Sequence, residues 1–380
     1  MAAYTEPDVR FLEEVMTSSG GDLKKCYQCA TCTTVCDLSD EATPFPRRQM
    51  AQAQWGMAES LAADRTLWLC HNCGSCTRQC PRGARPGDVM AALRQQAIRS
   101  LAVPRFMGAI VGTPRLLPLL FLVPALIFAA IALWAPKGAP TPRIEFANLF
   151  PILILEVVFW CVSALVLAAF AAQTIRFRKA LAAAGETRIL RGLVPAVIEI
   201  LRNERLKDCE ADRAWRAGHL AMVWGFCGLA VTGTLVGMGT MLGWLHTPLE
   251  PAHRLKILAN LCSVFAVAGM FLLLWSRWRN PEKRRSSTYF DWFFLGVLCG
   301  VVFTGVLSQL LRLAQLAPAM FVVYFIHLVL IFALFLCAPY SKFAHSLYRV
   351  MAVASTEPWS PKRHPYRAEI DEEGEIPVYN

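Results

Sequence analysis

Two stretches decide the reading of this chain: CYQCATCTTVC over residues 26–36 and CHNCGSCTRQCP over residues 70–81. Each holds four cysteines spaced x2, x2, x3. They are Cys26, Cys29, Cys32 and Cys36, then Cys70, Cys73, Cys76 and Cys80, with Pro81 closing the second run. This is the ligand spacing of 4Fe–4S clusters. A cubane needs four soft thiolates around a small volume, and three cysteines at x2, x2 spacing wrap that volume in one tight loop. In two-cluster sites the fourth cysteine of each run ligates the other cluster. The reading is therefore Cys26, Cys29, Cys32 and Cys80 on one cluster, and Cys70, Cys73, Cys76 and Cys36 on the second. Asp37 stands where a proline would follow the first run. Disulfides and zinc are the alternatives, and four regularly spaced cysteines, twice over, fit neither well. The implied chemistry is electron transfer in a reducing compartment.

The 380 residues are 55% hydrophobic and 17% charged, below the roughly 25% charged of soluble domains. The depletion is uneven. Residues 1–104 are polar, residues 105–350 hold long apolar runs, and residues 351–380 form a polar tail, acidic at Asp371, Glu372, Glu373 and Glu375. The expected fold is all-α: a small helical two-cluster domain with helices over 7–18, within 44–63 and over 86–101, then a membrane helix bundle. Residues 103–114 read as an interfacial stretch. The tail reads as an arm on a partner or as a disordered segment. The net charge of +10 does not point to nucleic acid, because the basic residues collect in loops between apolar runs.

Six spans of about 20 residues each are expected over 115–135, 149–173, 219–245, 253–278, 291–315 and 318–340. The second and fourth loops are basic (Arg176, Arg178, Lys179, Arg188, Arg191, Arg202, Arg205 and Lys207; then Arg277, Arg279, Lys283, Arg284 and Arg285), whereas the other loops carry few positive charges. The positive-inside rule then places both termini in the cytoplasm, with the chain in a bacterial or archaeal cytoplasmic membrane. No apolar leader precedes the cysteines, which agrees with that side.

Histidines at spans count as functional candidates. His219 opens the third span, His327 lies in the outer half of the sixth, and His345 follows its inner end. On one straight helix His327 and His345 would be about five turns apart on one face, though Pro339 between them invites a kink. The third span is glycine-rich (Gly218, Gly225, Gly228, Gly233, Gly237, Gly239, Gly243), which suits a haem face or another helix. Glu156, Arg254, Lys256, Gln309 and Arg312 gather towards the outer side. There Glu156 is a proton-relay candidate for quinol oxidation, and the cations are either interface anchors or partners of haem propionates. Cys161, Cys227, Cys262, Cys299 and Cys337 read as small apolar residues and Cys209 as a loop thiol.

HLVLIFALFLCAPYSKFAH (327–345) resembles the last-span haem motif of the nitrate reductase gamma-type cytochrome b, and His219-Leu220 with its glycine-rich run resembles that family's other ligand helix. The cysteine-bearing part resembles the C subunit of heterodisulfide reductase. The fusion is similar to the C subunit of the quinone-interacting membrane-bound oxidoreductase, Qmo. That resemblance implies two 4Fe–4S clusters, haem b on His219 and His345, a quinone such as menaquinone, flavin- and cluster-bearing soluble partners like Qmo A and B, and adenylylsulfate reductase as eventual acceptor. Leu229 occupies the family's second ligand position on the third span. Either His253 completes a second haem with His327, or there is one haem and His327 is a core or quinone-site histidine. The rivals are an anchor of a heterodisulfide-reductase-like or sulfite-reductase-linked complex, and a haem-free structural anchor.

Overall fold

The computed structural model describes residues 6–39, 43–135, 144–183, 185, 189–202 and 213–356. Among these every regular element is a helix, so the all-α reading holds. The expectations for Cys209, Arg188, Arg205, Lys207 and the tail beyond Thr356 lie outside the described residues. Two compact units divide the chain. The first comprises the described residues of Met1–Ala97, Phe177–Arg202 and Leu347–Asn380, and the second those of Ile98–Arg176 and Asn203–Ser346.

The first unit begins with α1 (Val9–Ser18), whose Asp8 N-cap accepts a hydrogen bond from the Phe11 N–H at 2.9 Å. Phe11, Leu12, Val15 and Met16 recur at helical spacing and pack on the core of Leu23, Phe45, Met50, Leu61, Leu67 and Leu93. α2 (Thr31–Thr34), α3 (Arg47–Gln54), α4 (Ala58–Ala62), α5 (Thr66–Leu69) and α6 (Ser75–Arg78) are short, and α7 (Pro86–Leu101) closes the run. Buried Gln49 joins α3 to the start of α5, donating to Asp64 Oδ2 at 2.7 Å and Thr66 Oγ1 at 2.9 Å. Gly56 is required where it stands. Its φ is +67°, and an added Cβ would lie 2.9 Å from the Asp8 nitrogen. Cys26, Cys36, Cys70 and Cys80 all rest against this core.

The second unit holds α8 (Arg105–Gly112), α9 (Leu117–Trp134), most of α10 (Ile152–Ala183), α12 (Arg213–Met241), α13 (Arg254–Arg279), α14 (Pro281–Ser286), α15 (Tyr289–Leu313), α16 (Ala317–Cys337) and the start of α17 (Lys342–Ala354). The intervening α11 (Ile189–Arg202) belongs to the first unit. Among the described residues six stretches are long and apolar enough to cross a membrane, with mean hydropathy from 1.7 to 2.8. They match the six expected spans, α10 extending ten residues further than read. Their surfaces expose Leu126, Leu165, Leu167, Val264 and Phe271, as contact with lipid requires, and Trp134, Trp244 and Trp278 stand at or just past helix ends.

Helix α12 packs along α13 through a glycine seam. A Cβ added at Gly225 would stand 2.6 Å from the Ala266 nitrogen, and one at Gly269 would stand 2.5 Å from that of Met222. Of the two uses open to the glycines of the third span, Gly218, Gly225 and Gly228 are taken by helix packing. The sixth span differs from one straight helix. It breaks at Pro339 through a 3-10 turn, Ala338–Tyr340, and restarts at Lys342, because proline removes an amide donor and clashes with the preceding turn. His327 and His345 therefore stand on separate helices, and their shared-face spacing does not carry over. Overfilling the seam with Gly225→Leu should lower stability by about 1–3 kcal/mol or more, read as an earlier midpoint in detergent-denaturation curves, while Gly233→Leu, with open space around it, should leave the midpoint nearly unchanged.

Candidate functional site

Both cysteine loops turn in one way. Gln28 and Ala30 in the first loop take φ of 60° and 69°, and Asn72 and Gly74 in the second take 54° and 82°. These left-handed residues reverse the chain between successive cysteines and open α2 and α6, which carry Cys32 and Cys76. Ala30 adopts the left-handed conformation without glycine's freedom, a strain of about 1–2 kcal/mol of the kind found at functional loops.

The two runs exchange their last cysteines in space. Cys26 interacts with Cys29 and Cys80, and Cys32 with Cys26, Cys29 and Cys80. Cys36 instead faces Cys70 and Cys73, and Cys76 faces Cys70, Cys36 and Cys73. A pocket is lined by Cys26, Cys29, Cys32 and Cys80, with Tyr27, Arg47 and Arg82 among its other walls. Helix α2 lies on α6, which brings Cys32 to Cys76 and the two groups side by side.

Burial pushes the Cys32 thiol up to about 11 and drives Cys36 and Cys76 further up, with neighbouring thiols adding to the effect. Four such groups become thiolates together only beside compensating positive charge, which iron supplies. Cys29 is exposed and moves the other way, lowered by the hydroxyl and amide of Thr31. Further donors point at sulfur: the Ala84 N–H reaches Cys80 Sγ at 3.3 Å, the Asn72 N–H reaches Cys70 Sγ at 3.4 Å, and Gln28 Nε2 lies 3.6 Å from Cys26 Sγ. Donors of this kind tune cluster potentials. Among the described residues no three His, Cys, Asp or Glu side chains close on a single-ion site. Zinc needs its ligands about 2.0–2.3 Å from one centre, whereas a cubane distributes them over four irons.

In the second unit the histidines differ in what their rings can do. Thr304 has one hydroxyl proton, and the Gly300 carbonyl accepts it at 2.6 Å. His327 Nδ1 lies 2.9 Å from Thr304 Oγ1, with the Val301 carbonyl also in reach of the ring, and the tautomer sets which group donates. With the ring proton on Nδ1, Nε2 would carry a lone pair for a metal or a proton. Gly305 makes room for the ring, since an added Cβ would meet His327 Cε1 at 2.8 Å. His253 is the opposite case. It caps α13, Nδ1 accepting the Leu255 N–H at 3.3 Å, so its neutral ring carries the proton on Nε2. In this arrangement Nδ1 is engaged by the cap and Nε2 carries the proton. Leu229 packs in an apolar cluster with Met222, Ala266 and Val302. His219 stacks on Trp215 with centroids 5.5 Å apart near the start of α12, and His345 lies in the first turn of α17.

The polar residues read as lying towards the outer side sort into two groups. The Glu156 carboxylate accepts from the Trp160 indole, fills the space over Gly237 and faces Tyr324, three residues before His327. Lys256 Nζ donates to Gln309 Oε1 at 2.6 Å, and Gln309 Nε2 donates to Asn260 Oδ1 at 3.0 Å, with Arg312 close to Lys256. Sequence reasoning missed Tyr324, Thr304 and Asn260. The intramembrane position of Asn260, one turn after Lys256, was the available signal for that residue.

A family model described as a 4Fe-4S dicluster domain matches residues 22–84. The C subunit of the H(2):CoB-CoM heterodisulfide,ferredoxin reductase of Methanothermobacter marburgensis is 36% identical over 94 residues, 24% of this chain and 50% of that protein. The C subunit of the ferredoxin:CoB-CoM heterodisulfide reductase of Methanosarcina mazei is 35% identical over 88 residues, 23% of this chain and 54% of that protein. The chain thus spans about half the length of these curated relatives. Citrate utilization protein B of Escherichia coli is 28% identical over 369 residues, 91% of this chain and 90% of that protein. No solved structure matches. The chain carries an N-terminal iron–sulfur domain of the electron-transfer kind, related to the heterodisulfide reductase C subunits, followed by helices able to span a membrane. Relieving the left-handed strain with Ala30→Gly should stabilise the cysteine domain by about 1 kcal/mol, and Gly74→Ala should cost a similar amount; unchanged unfolding midpoints for both would contradict this.

Proposed function

We propose that the chain is a membrane electron-transfer subunit working between a quinone, menaquinone or a relative, and soluble flavin- or cluster-bearing partners. In this reading residues 1–104 form a cytoplasmic domain, residues 105–350 the membrane domain and residues 351–380 a cytoplasmic tail. Cys26, Cys29, Cys32 and Cys80 would hold one 4Fe–4S cluster, and Cys36, Cys70, Cys73 and Cys76 the other. Bound clusters supply one-electron carriers, and the protein supplies ligation, spacing and electrostatics. The observation that carries the reading is the exchange of Cys36 and Cys80 between the two groups in a chain that also has six apolar spans.

Haem b, where present, rests on His219 and His345, which stand near the starts of α12 and α17. By alternation of the spans those starts share one side of the membrane. In this reading His327 takes no second ligand among the described residues, with His253 engaged as a cap and an apolar Leu229 at the family's ligand position. We therefore place His327 with Glu156 and Tyr324 at a quinone end. Quinol oxidation releases two electrons and two protons, and the free Nε2 of His327 and the Glu156 carboxylate are suited to accept the protons.

For the soluble partner two readings stand. The fusion of cluster and membrane parts favours Qmo A and B-like flavoproteins feeding adenylylsulfate reductase. The likeness along nearly the whole chain to citrate utilization protein B favours the same electron carriers serving a citrate-utilising system. Co-purification from the native membrane decides between them.

In the purified full chain, Cys80→Ser should abolish the cluster nucleated by the first run and Cys36→Ser the one nucleated by the second. Each variant should keep about half of the roughly eight irons that two cubanes contain. Loss of the cluster belonging to the mutated run itself would overturn the assignment. A quinol-reduced minus oxidised spectrum tests the membrane part: haem b bands reduced by menaquinol support the path, and clusters without haem would leave an anchor. Glu156→Gln should slow quinol oxidation about 10²–10⁴-fold if the carboxylate is a general base and remove its limb of the pH profile. An unaltered rate and profile would dismiss that role.

A further inference from the structure

The cysteines of the second group sit under two arginines with no motif linking them to the cysteine runs. Arg349 on α17 donates from one guanidinium nitrogen to the Trp68 carbonyl at 3.2 Å and reaches the Cys70 carbonyl at 3.5 Å. Its other terminal nitrogen lies 2.9 Å from His71 Nδ1. Arg94 on α7 donates to the same Cys70 carbonyl at 2.9 Å and to the Leu67 carbonyl at 3.4 Å. One ligand loop is thus held by two cations from helices outside it. Trp68, Tyr348 and Phe177, all fully buried, form an aromatic wall beside the clamp, with Trp68 and Tyr348 centroids 4.7 Å apart. Arg349 and Arg94 are half-buried beside this wall, where a charge is screened less than in open solvent.

The first group is built differently. Arg47 and Arg82 at its pocket are exposed, and Arg82 donates to the Tyr27 hydroxyl at 2.8 Å with its guanidinium 4.1 Å from the Tyr27 ring centroid. Solvent and salt screen such charges. Reduction adds one negative charge to a cluster. A fixed, poorly screened cation at a ligand's own carbonyl therefore favours the reduced state, and a solvated one does so far less.

We propose that Arg349, together with Arg94, is a positioning residue that holds the Cys70 loop and raises the reduction potential of the cluster on Cys36, Cys70, Cys73 and Cys76 selectively over the other. This rests on the cluster assignment given above.

The test is an EPR-monitored redox titration of the full chain with iron quantified. Arg349→Gln should retain iron and shift one midpoint downward by about tenfold in the reduction equilibrium, 59 mV for one electron. The moved midpoint should be the one missing from Cys36→Ser. Arg349→Lys keeps the charge without the forked hydrogen bonds and should recover most of the shift. Arg47→Gln should move neither midpoint comparably. Should Arg349→Gln shed iron, Arg349→Lys and Arg94→Gln supply the reading, the second with a downward shift of the same midpoint. Unmoved midpoints in iron-replete Arg349→Gln and Arg94→Gln proteins, or equal movement of both clusters, would overturn the proposal while leaving the cluster assignment standing. An unmodified chain with far fewer than about eight irons would overturn both.

Discussion

Eight clustered thiols, four of them (Cys26, Cys36, Cys70 and Cys80) set against one small apolar core, constrain most of the first unit. A thiol in apolar surroundings resists ionising, and Cys32, Cys36 and Cys76 are all pushed up by burial and by each other. Thiolates persist there only with compensation from iron, from amide and side-chain donors, and from fixed cations. The local structure supplies donors at short range: left-handed turns at Gln28 and Asn72 aim an amide or side chain back at Cys26 and Cys70, and the turn after Pro81 brings the Ala84 N–H onto Cys80. Longer elements supply the charge, with α7 and α17 contributing Arg94 and Arg349. The core of Leu23, Met50, Leu67 and Leu93 makes the loops rigid, and rigidity lets those few donors act at fixed distance.

In the second unit the ruling constraint is the lack of water to satisfy backbone groups, which leaves helices or closed barrels to span, and the described spans are helices. Between such helices the hydrophobic effect is weak and close packing decides. The seam at Gly225 and Gly269 answers this by letting two backbones approach with no side chain between them. At Gly237 and Gly305 the space left by glycine is used instead by a polar group, the Glu156 carboxylate in one case and the His327 ring in the other. One residue type thus serves two ends in the bundle, and only the identity of the facing group separates them.

That distinction marks what the sequence could convey. Spacing made both cysteine runs legible, because the chemistry demands x2, x2, x3 whatever surrounds it, and hydropathy made the six spans legible to within a few residues at most ends. Pro339 was visible as a kink, yet its consequence, a full break that puts His327 and His345 on separate helices, depended on the 3-10 turn anchored by the Tyr340 hydroxyl on the Val103 carbonyl. The purpose of Gly218 and Gly225 was open until α13 was seen against them. Arg349 was illegible altogether, being 279 residues from the Cys70 carbonyl it reaches. No periodicity links positions so far apart, and an arginine near the end of a span reads equally well as an interface anchor.

The histidines show how one proton can decide a role that residue type leaves open. His253 and His327 are both near helix ends or polar neighbours, and composition ranks them alike. The Leu255 amide has only a proton to give, so His253 must accept at Nδ1 and hold its own proton on Nε2. The Thr304 hydroxyl reaches the Gly300 carbonyl, and a His327 ring that donates to it at Nδ1 leaves Nε2 bare. A base, a metal ligand or a hydrogen-bond acceptor for a quinol needs that bare nitrogen. Glu156 faces Tyr324, three residues before His327, and the cap at His253 serves the stability of α13.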